Sequence, residues 1–340
     1  MRYTAHVGTN SIRDSRGIYT LSITENGEGE ILCTTPAYNS GYLALSRGGN
    51  RLYAVSEGMS FMGKASGGVL SYDTAGDVPR EMNRRFSGGQ RPCCMCLSED
   101  GKTLYVSNFF GGSISVFPIE SDGSVGECKK FIKETPLPGR LDGMHCVEEM
   151  PNGEFGAVYL GTGSVIIYDA ETFEEKQRFS LKGGAFPRHF TTSADGNTLY
   201  LLLQTPSEVH VAKRAPDGAF EIKQVLSAVP DDFNGHAEAA AIRLTPNGKL
   251  LLASTRIANT VAIYRVGQDG LLDTGHVVRL PVKTPRDIAV TPDGRFLLTA
   301  GQATDNICIH EIDYDNADLI FRSTIEGVVS PGCIVVKEAR

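Results

Sequence analysis

The chain has 340 residues, of which 41% are hydrophobic and 21% charged, and a formal net charge of −7. That balance is ordinary for a globular protein, and an acidic chain without a basic stripe argues against nucleic acid as a partner. No apolar run approaches membrane-spanning length and no apolar signal region follows the N-terminus, so a cytoplasmic protein with no membrane contact is expected.

Taken in chain order, the first apolar strand is Ile18-Tyr19-Thr20-Leu21, which lacks a preceding hairpin half. A turn at Gly49 follows, then the strand Val69 to Tyr72. The stretch from Asp73 to Ser87 is polar and reads as an exposed loop. Cys93-Cys94-Met95-Cys96 reads as a buried strand leading to a turn at Gly101, and Ile114 to Phe117 is the strand after it. The same pattern recurs at Gly153 with Val165 to Tyr168, and at Gly196 with Val209 to Ala212. It recurs again at Gly248 with Val261 to Tyr264, and at Gly294 with Ile307 to His310. Cys333-Ile334-Val335-Val336 supplies a spare strand at the end. No stretch carries a convincing helical period.

The six turn glycines are 52, 52, 43, 52 and 46 residues apart. Hairpin repeats of about 40–50 residues indicate a β-propeller. The expected fold is all-β, a seven-bladed β-propeller formed as one domain over residues 1–340, its last blade closed by strands from both chain ends. Closure removes exposed sheet edges, and a monomer is expected. The eight cysteines are expected to be reduced thiols, because the chain is long and lacks a secretion signal.

Residues equally far from a hairpin turn face each other across the ladder. Eight before each glycine stand Gly41, Cys93, His145, Arg188, Ala240 and Arg286; eight after stand Glu57, Phe109, Gly161, Gln204, Arg256 and Gln302. A bulge that slips the register by one adds His189, Asp287 and Asn108. Three arginines therefore converge at one mouth of the expected propeller. Arginine forks bind carboxylate and phosphate, which points to a small anionic ligand. The alternative is that these arginines pair with Asp287, Glu238 or Glu57. Cys93 and His145 occupy equivalent slots, so a thiol nucleophile with a histidine base is a further alternative. No zinc motif is present, and no metal or other cofactor is expected.

Pro187-Arg188-His189, Thr284-Pro285-Arg286-Asp287, Ser227 to Phe233, and His6-Val7-Gly8-Thr9 with Gly17-Ile18-Tyr19 resemble the seven-bladed propeller lactonase family. That family includes the propeller-type 6-phosphogluconolactonases and the carboxy-cis,cis-muconate cyclases. The resemblance covers essentially the whole chain. It implies a catalytic set of one histidine, two arginines and a glutamate, carried here by His145, Arg188 and Arg256, with Gln204 where the glutamate belongs. Glutamine keeps the shape and the hydrogen bonds but cannot serve as a base. Cys94 stands where relatives often carry histidine, and Tyr159 where some carry an acidic residue.

The implied function is metal-independent hydrolysis of an anionic sugar lactone such as 6-phosphogluconolactone, in carbohydrate metabolism. His145 is the expected base; Arg188 and Arg256 clamp the oxyanion or a phosphate. Arg286, His189, Asp287, Glu57, Gln302, Asn108 and Cys93 are the expected substrate contacts. A cyclase or lyase acting on a carboxylated lactone or diene is the second reading. A non-catalytic propeller that binds small anions or a protein partner is the third.

Overall fold

All six turn glycines take a positive φ, between 64° and 77°, which costs glycine nothing and strains any residue with a Cβ. Around them a serine or threonine three residues upstream accepts the glycine N–H on its carbonyl, as in Ser98–Gly101, Ser193–Gly196, Thr245–Gly248 and Thr291–Gly294. Its hydroxyl binds the intervening acid or amide, Asp100, Asp195, Asn247 or Asp293. The tight hairpin is thus encoded locally, by one short motif used repeatedly.

The computed structural model describes residues 2–181 and 185–339, and among them every regular element is a strand. No helix is long and apolar enough to cross a membrane. The strands are β1 (Tyr3–Thr9), β2 (Gly17–Ile23) and β3 (Gly29–Pro36); β4 (Leu43–Leu45), β5 (Arg51–Ser56), β6 (Gly68–Asp73) and β7 (Arg80–Phe86); β8 (Gln90–Leu97), β9 (Thr103–Phe110), β10 (Ser113–Pro118) and β11 (Lys130–Lys133); β12 (Met144–Met150), β13 (Glu154–Tyr159), β14 (Ser164–Asp169) and β15 (Glu175–Ser180). They continue with β16 (Phe186–Thr192), β17 (Thr198–Thr205), β18 (Glu208–Arg214) and β19 (Phe220–Ser227); β20 (Ala239–Leu244), β21 (Leu250–Thr255), β22 (Thr260–Arg265) and β23 (His276–Arg279); β24 (Pro285–Val290), β25 (Phe296–Gly301), β26 (Asn306–Asp313) and β27 (Asp318–Glu326); and β28 (Pro331–Glu338).

They form seven four-stranded sheets, the blades of the expected fold. Six are consecutive meanders. The seventh has the order β28-β1-β2-β3, so the spare C-terminal strand joins three strands from the chain start. Ile18 to Leu21 lie in β2, and the other six apolar strands read from the sequence are each the third of their sheet. The stretch Asp73 to Ser87 holds a strand, β7, where a loop was expected. Its side chains are exposed or half-buried, so an edge strand washed by solvent carries no apolar alternation to betray it.

Internal packing groups the chain into two compact units. One comprises Met1–Ala5, Leu21–Ile31 and Ala185–Arg340; the other comprises His6–Thr20 and Leu32–Gly184. The second unit contains the sheets β4–β7, β8–β11 and β12–β15. Its largest aromatic stack runs Tyr105, Phe155, Tyr168, with ring centroids 4.6 and 4.9 Å apart. Burying each such ring contributes about 1.5–3 kcal/mol. The first unit contains the sheets β16–β19, β20–β23 and β24–β27, with an apolar layer of Tyr200, Leu202, Val211, Ile242, Leu251 and Tyr264 between the first two. Leu252, Ile263, Ile288, Leu297 and Cys308 form a further layer.

His310 on β26 lies buried, edge-on to Phe321 at 5.6 Å. Burial lowers its pKa from 6.5 to about 4. Below pH 6.5 the unfolded chain takes up a proton that the folded chain refuses, so stability falls as pH drops from 6.5 towards 4 and levels off below. The loss expected is about 3 kcal/mol. Urea unfolding of wild type and His310→Leu between pH 4 and 7 measures it; the variant should show the shallower acid limb, and identical slopes would refute the assignment.

Candidate active site

In five sheets the ladder between first and second strands slips near its open end, twice in the sheet of β16 and β17. The breaks fall between Pro92 and Cys94, Met144 and Cys146, Pro187 and His189, Ala239 and Ile242, and Pro285 and Asp287. Cys93, His145, Arg188 and Arg286 are the residues at the bulge in four of these, and Ala240 lies within the fifth. A bulge releases one residue from the ladder and re-aims its side chain. The residues singled out by counting back from the glycines are therefore those the backbone sets apart.

In the first unit, Arg188 is buried, donating from Nε to the Ala240 carbonyl at 2.8 Å and from Nη1 to Gln204 Oε1 at 3.2 Å. The bulge moves the ladder to Pro187 opposite Leu203, yet the two side chains expected to meet still do. Arg256 Nη2 lies 2.9 Å from Glu238 Oε2, and the Arg256 amide donates to the Glu238 carbonyl at 2.8 Å. The other carboxylate oxygen of Glu238 meets His236 Nε2 at 3.2 Å. Burial raises the Glu238 pKa, but the His236 contact and the charges of Arg256 and Arg188 outweigh it and hold the carboxyl below its usual range. Burial and the nearby charge of Arg286 weaken the hold of Arg256 on its proton, against Glu238. Arg286 itself is half-buried and makes no hydrogen bond or ion pair among the described residues.

His189 is buried, and desolvation drives its pKa well below the histidine range, helped by the charges of Arg188, Arg243, Arg286 and Arg256. It is a neutral ring among four cations. Asp287 is withdrawn from the expected substrate contacts. It is buried, takes Arg243 Nη2 on Oδ1 at 2.8 Å and accepts the Ile334 amide on Oδ2 at 2.8 Å. Gln302 is half-buried and follows the end of β25, its amide donating to the Thr284 carbonyl at 3.1 Å.

The second unit holds the remaining candidates. His145 is nearly buried and stands edge-on to Phe109 at 5.6 Å. The Cys93 thiol donates to the backbone carbonyls of His145 at 3.3 Å and Met144 at 3.5 Å. Glu57 is buried and pairs with Arg91 Nε at 3.4 Å, so it neutralises an arginine before any ligand arrives. Asn108 is wholly buried and donates to Ser113 and Ser115 inside its own sheet, which occupies it structurally. Tyr159 donates its hydroxyl to Asp142 at 2.7 Å. Cys94 and Cys146 are fully buried with sulfurs 3.6 Å apart.

The sequence offered Glu238 as an ion-pair partner for the arginines, and it pairs with Arg256; Arg243 and Arg91 were not among the candidates. Arg243 had a signal: a charge inside the apolar strand Ala239–Leu244 calls for a buried acid, and Asp287 is that acid. Arg91, whose φ is 51°, has its guanidinium 5.7 and 5.5 Å from the rings of Phe109 and Phe110. Nothing in residue spacing announces such a stack.

The family described as "Lactonase, 7-bladed beta-propeller" matches residues 4–336. A protein of Bacillus subtilis named 6-phosphogluconolactonase is 25% identical, over 98% of each chain. One of the same name from Pectobacterium carotovorum is 33% identical over 74% of this chain and 76% of its own. A solved structure from Lactobacillus plantarum superposes with a TM-score of 0.91 at 26% identity, covering 99% of this chain and all of that one. With the repeated bulges and the arginines they carry, these likenesses lead to one statement: the chain belongs to the seven-bladed β-propeller lactonase family.

Proposed function

We propose that this protein hydrolyses an anionic sugar lactone, of which 6-phosphogluconolactone is the first to try. The observation that carries the reading is the arginine group of the first unit. Arg188, Arg256 and Arg286 all act on one buried ring, that of His189, and Arg286 pairs with no acid among the described residues. A cation held partly buried without a counter-ion is a site for an anion.

Each residue has a role in this reading. Water attacks the lactone carbonyl and gives up its proton to a base, the part that the family resemblance implies for His145 and that a variant at that position tests by itself. Negative charge collects on the carbonyl oxygen, where Arg188 and Arg256 stabilise it. The ring C–O bond then breaks, and the alkoxide takes a proton to give the hydroxy acid. Arg286 binds the remote phosphate or carboxylate. No step uses a metal, so EDTA treatment is expected to leave the rate unchanged.

Arg286→Ala should raise KM about 10- to 100-fold with kcat nearly unchanged, because it removes binding common to ground and transition states. Steady-state hydrolysis, followed by NMR on freshly generated lactone against the spontaneous rate, measures this. A fall in kcat at constant KM would instead place Arg286 at the reacting carbonyl. A wild-type rate equal to the spontaneous rate would sink the lactonase reading, and product analysis by the same NMR separates hydrolysis from cyclase or lyase chemistry.

A further inference from the structure

Gln204 leaves the first unit without the carboxylate expected beside Arg188, yet a carboxylate is there. Glu238 comes from the irregular segment before β20 and is only two residues from His236. One of its oxygens lies on the Arg256 guanidinium and the other on His236 Nε2, at 2.9 and 3.2 Å. Its backbone is tied to Arg256 as well, through the Arg256 amide. The carboxylate thus joins an imidazole to the arginine group. His236 Nε2 donates to Glu238, which fixes the ring's tautomer and leaves Nδ1 as the nitrogen open to a ligand; no described residue bonds it. A carboxylate that orients an imidazole through one nitrogen so that the other can move a proton is the arrangement of hydrolytic triads.

We infer that His236 is a further catalytic residue, the acid that protonates the leaving ring oxygen, with Glu238 as its positioning residue. The inference rests on the lactonase reading above. In the step, the ring C–O bond of the tetrahedral intermediate breaks and its electron pair goes to the ring oxygen. The proton on His236 Nδ1 transfers to that oxygen, giving the hydroxyl of the product. His236 is left neutral and recovers its proton from solvent, into which His145 discharges the proton taken from water. The groups that act on this pair are Glu238 on His236, Arg256 and Arg188 on Glu238, and Arg286 on Arg256.

His236→Asn tests this directly, because the His236 side chain is 61% exposed and its loss does not threaten the fold. With 6-phosphogluconolactone as the probe, kcat should fall about 100-fold with KM little changed, and the alkaline limb of the kcat–pH profile should disappear. Glu238→Gln should lose about 10-fold, and Glu238→Asp should recover part of it. A His236→Asn enzyme within about twofold of wild type overturns the inference while the lactonase reading stands. A loss of rate with the alkaline limb intact also overturns it, since a structural role leaves the profile unmoved. A wild type that is itself no faster than the spontaneous reaction removes the lactonase reading, and the inference with it.

Discussion

Replacing His145 by alanine is expected to bring lactone hydrolysis down to the spontaneous rate. The ring stands at the bulge of β12, where the backbone releases one residue from the ladder, and its edge meets the face of Phe109. Positioned proton transfer contributes about 10²–10⁴-fold to rate, and the family resemblance implies His145 as the base. The loss should fall on kcat, not KM. Wild type and variant are compared on the same preparation of lactone, with thermal unfolding as a check that the variant is folded. The Cys93 contact is made to the His145 backbone carbonyl, so the substitution leaves it in place. A variant that keeps more than about half of the wild-type rate would reassign His145 to packing.

Arg188 carries the second large effect. It is 5% exposed, and it donates to the Ala240 carbonyl and the Gln204 amide oxygen, which lie in different sheets. Removing one donor from an oxyanion site costs about 10²–10³ in kcat, so Arg188→Ala should lose that much. It also strips the Ala240 carbonyl of its donor, which costs about 1–3 kcal/mol if nothing replaces it. Arg188→Lys separates the two effects. One ammonium cannot reproduce a planar fork aimed at two partners, so the lysine variant should keep most of the stability and still lose most of the rate. Equal recovery of both by lysine would show that only charge matters at this position.

Gln204 takes its meaning from the same contact. An amide oxygen accepts from Arg188 as a carboxylate would, so the geometry survives while the base is lost. The carboxylate that pairs with Arg256 is Glu238, on another segment. Glu238 faces Arg256 because the β20–β21 ladder runs on past Ala239 and Thr255, and the bulge in between offsets the count from the turn.

What the chain order determined is local. Six turn glycines, five of them with a serine or threonine three residues upstream and most with an acid or amide between, set the hairpins. Alternating apolar residues set the inner strands, and a fixed offset set which residues stand at the bulges. A period of two and a tight turn act within a dozen residues, so sequence alone decides them. The outer strands were less legible. Arg80–Phe86 looks like loop because water covers it and hydrophobic burial leaves no mark on its order of residues.

Only the tertiary structure decided which charges are spent and which remain. Arg243 and Asp287 are 44 residues apart and Arg91 and Glu57 are 34 apart, and in each pair it is the carboxylate that the fold buries. Those pairings withdrew Asp287 and Glu57 from the expected contacts, while Arg286 was left without an acid. An ion pair's worth depends on burial and on the geometry of both partners, and neither is written in the spacing of residues along one chain.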